Sequence, residues 1–185
     1  MIYGKLVAGL LGLTLLGPFG LLLGLAVGHA FDRGLHTTLA FGSPEQLQKI
    51  QAAFFETCFS LLGHVAKADG RVSEEEIAHT EQIMAQLGVG AGQREQAINF
   101  FRAGAAADFQ AGPLIAHFIE TSRGHRKVHQ TLLVFLISMA QADGTIDESE
   151  RQTLEACAGL LGFNAVVFQQ ILGMVQGQQQ YHQHQ

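Results

Sequence analysis

Four carboxylates in two matching motifs are the residues of this chain whose type and spacing suit the binding of a cation. The motifs are KADGRVSEEE at residues 67–76 and QADGTIDESE at residues 141–150. Each places an aspartate before a glutamate at the same spacing, and the four acidic residues are Asp69, Glu76, Asp143 and Glu150. Carboxylate oxygens are ligands that calcium and magnesium prefer, so the chemistry to consider is the binding of a divalent cation.

The motifs also match the second half of the calcium-binding loop of an EF-hand, in which aspartate fills loop position 5 and glutamate fills loop position 12. Loop positions 1 and 3 supply carboxylates in that loop, but here they are Val65 and Lys67 in the first copy and Met139 and Gln141 in the second. An ordinary EF-hand is therefore not expected. Two interpretations stay open: the four carboxylates share one weakly bound cation, or each serves only a local turn or helix cap.

The motifs are copies within an internal repeat. The offset that carries Asp69 onto Asp143 also carries Leu87–Gly88 onto Leu161–Gly162. In each copy the pattern predicts that a helix ends at a glycine and that the next helix begins with a capping box. The predicted helix-corner residues are Gly70, Gly144, Ser73 and Asp147. The repeat thus indicates a domain of two related halves, each with an Asp-Gly corner.

Helical periodicity predicts an all-α domain at residues 43–177. Its first helix begins with Ser43 as N-cap, Pro44 at the first position and Gln46 closing a capping box. Further helices are predicted at residues 74–87, 93–104, 112–123, 126–142, 147–161 and 164–176. No segment alternates apolar and polar residues as a strand would, and residues 178–185 are predicted to be a polar Gln/His tail or the start of a linker.

The N-terminal segment, residues 1–34, is predicted to be a membrane anchor, and a connector at residues 35–42 joins it to the domain. No charged residue occurs between Lys5 and Asp32, and a helix of that length exceeds the roughly 30 Å of a hydrocarbon core. A cleavable signal peptide would have a shorter apolar region, and so many glycines would weaken a helix buried in a globular protein. A single transmembrane helix is therefore preferred, and its flanking charges leave its orientation open.

Three glycines form a stripe along one face of this predicted helix: Gly20, Gly24 and Gly28. Small residues four positions apart allow a second membrane helix to approach closely. The alternative is a glycine-rich anchor without a partner. The stripe therefore predicts self-association within the lipid bilayer.

Composition and motifs exclude several classes of function. The chain has 11 Lys and Arg against 16 Asp and Glu, and it lacks the basic run typical of nucleic-acid-binding proteins. Cys58 and Cys157 form no metal or redox motif and are predicted to be small buried residues. His125 and His129 are spaced to share a helix face, but no zinc motif surrounds them, so a solvated face is predicted. No catalytic motif is found, so the chain is predicted not to be an enzyme and to need no cofactor besides the weak divalent cation.

The duplicated corners, with LGV and LGF after the helices that follow them, resemble the TerB-like fold of tellurite-resistance proteins, an all-α domain of two related halves. With the anchor included, the chain is similar to the N-terminal part of the membrane-anchored DnaJ-like co-chaperones of Gram-negative bacteria. The residues that carry this resemblance are GLAVGHAFD, QAAFFETCFSLLGHVAKADGRVSEEEI, FFRAG and AQADGTIDESE. It spans about residues 1–177.

The resemblance implies a single-pass inner-membrane protein with a short periplasmic N-terminus and a cytoplasmic C-terminal domain. In that family a linker leads to a J domain whose His-Pro-Asp tripeptide stimulates an Hsp70 ATPase. The prolines here are Pro18, Pro44 and Pro113, so this tripeptide is absent from the chain, and partners of the Hsp70 system are expected only if a J domain follows. The expected function is a membrane-tethered interaction domain that recruits partners in envelope stress. The alternative is a divalent-cation sensor built on the two corners.

Overall fold

A computed structural model describes residues 44–69, 91–141 and 146–182. Within these ranges the chain forms helices and connecting turns without a strand, as the sequence predicted. The helices are α1 Pro44–Ala66, α2 Ala91–Gly104, α3 Ala111–Thr121, α4 Arg126–Ala140, α5 Glu148–Leu160 and α6 Ala165–His182, and a 3-10 turn at Lys67–Asp69 follows α1. The predicted anchor and the predicted helix at residues 74–87 lie outside the described residues. None of the six helices just named is long and apolar enough to cross a membrane.

The chain divides into two compact units. The first contains Met1–Gln48 and Ser73–Asn99, of which the structure describes the opening of α1 and most of α2. The second contains Lys49–Val72 and Phe100–Gln185 and holds the rest of α1, the end of α2, and α3 to α6. We call this second unit the bundle, and the packing described below lies within it.

Helix α4 buries an apolar stripe within the bundle. Its sequence RKVHQTLLVFLISMA repeats apolar residues at helical spacing. The residues of α4 that are buried are Val128, His129, Leu132, Leu133, Leu136 and Ile137. Helix α4 packs against α5 and α6, and α5 also packs against α3 and α6. Because α4 buries its apolar stripe against two neighbours, it contributes a large share of the hydrophobic stabilisation of the bundle.

Helices α1 and α2 cross closely because each carries a glycine at the crossing. A Cβ atom on Gly63 would overlap the carbonyl oxygen of Phe101, and one on Gly104 would overlap the backbone of Ser60. No larger residue fits at either position unless the helices separate. The sequence predicted only that a helix ends at residue 104, whereas in the structure Gly104 is also a packing residue at the end of α2.

Aromatic contacts show the directions of α1 and α3. Phe54 of α1 contacts Phe118 of α3, with ring centroids 6.1 Å apart. His64, further along α1, contacts Phe109, which precedes α3, at 5.2 Å between ring centroids. The two helices are therefore antiparallel. The turn that follows α3 lies beside the part of α1 that precedes Phe54.

Helices α4 and α5 are also antiparallel. Arg126, the first residue of α4, donates a hydrogen bond of 3.2 Å to the carbonyl oxygen of Gly162, just beyond α5. Its guanidinium carbon lies 5.4 Å from the centre of the Phe163 ring. The 3-10 turn Lys67–Asp69 packs against α5. We call the end of the bundle that holds the α3–α4 and α5–α6 turns the turn end. The opposite end, with Lys67–Asp69 and the start of α5, is the corner end.

Local sequence signals set the boundary between α5 and α6. Gly162 has a φ of 87°. Its amide donates a hydrogen bond of 3.0 Å to the carbonyl oxygen of Gly159, and the amide of Phe163 donates one of 2.9 Å to that of Ala158. This pair of hydrogen bonds is a Schellman motif. Asn164 then caps α6 by accepting a hydrogen bond of 2.9 Å from the amide of Val167. Helix α6 continues to His182, beyond the predicted end at residue 176, because glutamine is a good helix former and the segment contains no glycine after residue 177 and no proline.

Candidate functional site

The structure places two of the four predicted acidic residues at the corner end of the bundle. Asp69 is the last residue of the 3-10 turn after α1, and this turn packs against α5. Glu150 lies in the first turn of α5. Outside the described residues lie Glu76, Asp143, Gly70, Gly144, Ser73, Gly20, Gly24 and Gly28. The described parts of the two Asp-Gly corners thus occur at one end of the bundle, as a cation shared between them would require.

Asp147 and Glu150 form a capping box at the start of α5. Asp147 Oδ1 accepts a hydrogen bond of 2.8 Å from the amide of Glu150, and Glu150 Oε2 accepts one of 2.9 Å from the amide of Asp147. Two amide donors near the helix start are thereby satisfied. The hydrogen bond from the Glu150 amide is the main cause that lowers the pKa of Asp147. Glu150 therefore has a structural role that needs no cation.

Arg151 balances further negative charge at the start of α5. Its Nη2 and Nε lie 2.7 and 2.9 Å from the two carboxylate oxygens of Glu148, and its Nη1 lies 2.9 Å from Glu155 Oε2. Gln152 adds a hydrogen bond of 2.8 Å to Glu148. Hydrogen bonding by Arg151 and then by Gln152 lowers the pKa of Glu148 to about 2. This network was not predicted, although the positions of Glu148 and Glu155 one helical turn before and after Arg151 were the signal that could have shown it.

The described part of the chain contains no group of three or more His, Cys, Asp or Glu side chains that could hold a metal ion. A cation bound by both corners would need Glu76 and Asp143, which lie outside the described residues. The geometry seen at the start of α5 is that of a helix cap and an ion-pair network. The shared cation therefore stays a prediction.

His129 differs from its predicted environment. The sequence predicted a solvated helix face, but His129 is only 8% exposed, because position 129 falls on the buried stripe of α4. Ser122 Oγ donates its one hydrogen to the carbonyl oxygen of Phe118 at 2.5 Å and lies 2.9 Å from His129 Nε2, so Nε2 is the donor in the second contact. Burial is the main cause that lowers the pKa of His129, followed by the charges of Arg126 and His125. This Ser–His pair is a buried structural contact.

The remaining candidate reactive groups are also structural. Cys58 and Cys157 are buried free thiols, as the sequence predicted. Burial raises the pKa of both, that of Cys157 to about 12, so neither forms a reactive thiolate near neutral pH. His64 is partly buried against Phe109, and burial, with a smaller contribution from Lys67, lowers its pKa.

Both parts of the chain have counterparts among known proteins. The family model of the tellurite resistance protein TerB matches residues 55–172, and that of the transmembrane domain of the co-chaperone DjlA matches residues 1–42. The co-chaperone protein DjlA of Coxiella burnetii is 36% identical, over 97% of this chain and 70% of that protein. Those of Salmonella typhimurium and Escherichia coli K12 are 34% and 32% identical, each over 97% of this chain and 66% of the relative. No solved structure gives a significant match.

The matches agree with the resemblance seen in the sequence. The TerB match begins within α1 and ends within α6, so it includes α2 to α5 in full and the two outer helices in part. The chain spans about two thirds of the length of the curated relatives it matches. A DjlA transmembrane domain followed by a TerB helical domain, with DjlA relatives aligned over nearly the whole chain, places this protein in the family of the co-chaperone DjlA.

Proposed function

We propose that this chain is a membrane-tethered interaction domain that recruits partners of a chaperone system to the inner membrane during envelope stress. The observation that carries the proposal is the presence, in one chain, of a DjlA transmembrane domain and a TerB domain, with co-chaperones aligned over 97% of its length. The bundle supports it, because the acidic residues at the start of α5 serve a helix cap and ion pairs, and Ser122 and His129 form a buried hydrogen-bonded pair. Its function then depends on its surfaces and on its location.

In this proposal the N-terminus is short and periplasmic and the TerB domain is cytoplasmic. The anchor, residues 1–34, holds the domain at the membrane and pairs with a second anchor through Gly20, Gly24 and Gly28. Pairing would present two TerB domains side by side, which raises the effective concentration of any partner that binds both. Partners of an Hsp70 system enter if a J domain follows this chain.

An anchor exchange tests the proposal. Three forms are expressed in a strain from which the gene for this protein has been deleted. They are the wild-type chain, a chain without residues 1–34, and a chain with those residues replaced by an unrelated single-span anchor of the same orientation. The measurement is survival and induction of an envelope-stress reporter when a misfolded outer-membrane protein is overproduced. We expect no protection from the chain without residues 1–34. Full protection from that form would refute a role for the tether, and full protection by the unrelated anchor would refute a role for the glycine stripe.

A second candidate function is a divalent-cation sensor at the two corners. The observation in its favour is that the turn containing Asp69 and the start of α5 lie at the same end of the bundle. The test is calcium titration of the full chain in detergent micelles, with the melting temperature followed by circular dichroism. Binding to the folded state raises the melting temperature with calcium concentration, and Asp143→Asn should remove that response. If the wild-type melting temperature does not depend on calcium, the corners are turns and caps only.

A further inference from the structure

Positive charge is concentrated at the turn end of a chain that is acidic as a whole. Arg123, Arg126 and Lys127 lie in the α3–α4 turn and the first turn of α4, and all three are exposed. Glu120 balances one of them in part, since it lies 3.3 Å from Arg123. The first turn of α4 contains no acidic residue, and its N-cap His125 makes no side-chain capping hydrogen bond. A cation in the first turn of α4 opposes the dipole of that helix, so the stability of α4 does not explain Lys127. Arg123 follows the C-terminus of α3, and Arg126 also contacts the α5–α6 turn.

Exposed apolar side chains occur at the same end. Leu160, the last residue of α5, is 48% exposed, and Val166, in the first turn of α6, is 65% exposed. They flank the α5–α6 turn, which receives a hydrogen bond from Arg126. Residues 160–167 include no Asp or Glu. A single exposed apolar side chain is ordinary, and Met174 further along α6 is one such case. The combination of two exposed apolar side chains with three cations at one end of the bundle is what indicates a surface with a partner.

The turn end is also the end of the bundle at which its part of α1 begins. Helix α1 begins at Pro44, and the match to the DjlA transmembrane domain ends at residue 42. Phe54 contacts Phe118, and the chain reaches Ser122 one helical turn later, so the α3–α4 turn lies beside the part of α1 that precedes Phe54. The predicted connector, residues 35–42, spans at most about 30 Å even when fully extended.

We propose that the turn end of the bundle lies on the membrane surface. In this arrangement Arg123, Arg126 and Lys127 contact the phosphates of anionic phospholipids, and Leu160 and Val166 enter the headgroup layer. Interfacial segments combine these two kinds of residue, because apolar burial and attraction to anionic lipid add. The corner end then faces away from the bilayer, where it is open to other proteins. The proposal rests on the membrane anchor and is independent of a role in envelope stress.

Fluorescence quenching of the full chain in vesicles tests the orientation. Val166→Cys marks the turn end, and Ala107→Cys, an exposed position near Phe109, marks a site towards the corner end. Each variant carries a fluorescent label, and the wild-type chain, whose two cysteines are buried, gives the background of labelling. The quencher is a nitroxide on the lipid headgroup. In vesicles of phosphatidylcholine with phosphatidylglycerol, we expect stronger quenching of the label at position 166. Equal quenching at both positions would overturn the proposal.

A charge-matched pair of double variants tests the role of the cations. The double variant Arg123→Gln with Lys127→Gln is made in the chain labelled at position 166. The ratio of domains bound at the membrane surface to domains detached from it should fall about fivefold for each cation, roughly 25-fold in all. Lys67→Gln with Arg102→Gln removes the same charge away from the turn end and should change little. Circular dichroism checks that both double variants are folded.

Lipid composition and salt separate a lipid surface from a protein partner. Vesicles of phosphatidylcholine alone, or high salt, should reduce quenching at position 166, because both remove attraction to anionic headgroups. Quenching that does not depend on phosphatidylglycerol would overturn the proposal. The proposal would also be overturned if the label at position 166 became shielded only after an acidic protein was added. That result would assign this surface to a protein partner. Loss of envelope-stress protection by the anchor-exchange chains would not affect either result, so the two proposals can fail separately.

Discussion

Replacing Gly63 with alanine adds one methyl group at the crossing of α1 and α2. The added Cβ would overlap the carbonyl oxygen of Phe101 and would lie 3.1 Å from the amide nitrogen of Ala105. Both obstacles are backbone atoms, so no side-chain rotation relieves the overlap and the helices must move apart. Their separation would also loosen the second close contact, between Gly104 and Ser60.

Two effects of opposite sign set the change in the free energy of unfolding. Alanine is favoured over glycine in the interior of a helix by about 1 kcal/mol. Overpacking of a well-packed contact costs about 1–3 kcal/mol, and a rigid backbone obstacle places Gly63→Ala at the upper end of that range. The net loss is therefore about 2 kcal/mol. For a chain of this size, such a loss lowers the melting temperature by about 4–8 °C.

Thermal unfolding of the full chain in detergent micelles, followed by far-ultraviolet circular dichroism, measures this change. The matched control is Gly173→Ala on the exposed face of α6, where nothing lies within 4 Å of the position its Cβ would take. The control keeps the helix-propensity gain without the overlap, so its melting temperature should rise by about 1–4 °C. A Gly63→Ala chain that melts at or above the wild-type temperature would refute the close crossing.

Three further predictions concern a buried histidine, a helix cap and the anchor. The folded-state pKa of His129 lies below its unfolded value, so wild-type stability falls as pH drops below about 6.5. The His129→Gln variant keeps an N–H donor for Ser122, so its melting temperature should fall less between about pH 7.5 and pH 5.5. Parallel melting profiles of the two proteins would contradict this. Asp147→Ala should lower the melting temperature more than Asp147→Asn, which keeps an oxygen acceptor, and equal melts would show that the cap contributes little. Gly24→Leu should abolish self-association of the anchor in a two-hybrid assay in membranes without preventing its insertion. Leu22→Ala, on another face of the helix, should leave self-association intact. If the Gly24→Leu anchor still associates, any dimer contact lies elsewhere in the chain.

Helix starts and stops were predictable where the signal lies within one or two turns of the chain. The aspartate and glutamate of the second corner predicted a capping box, and the structure has it at Asp147 and Glu150. The glycine of the LGF motif stops α5, because Gly162 adopts a positive φ at low cost. The end of α6 was predicted too early, since a polar glutamine segment was interpreted as a linker although glutamine also favours helix.

The sequence by itself thus determined the elements of this protein: an all-α chain, its repeated Asp-Gly corners, and its membership of a membrane-anchored family. The tertiary structure alone decided which residues meet. The sequence does not distinguish Gly63 from other helical glycines, and only the crossing of Phe101 makes it a packing residue. Likewise, the contact of His129 with Ser122 appears only in the folded structure. Caps and turns depend on neighbours in the chain, whose distances the backbone fixes. Helix crossings and the placement of Leu160 and Val166 beside the cations of the α3–α4 turn depend on segments that only folding brings together.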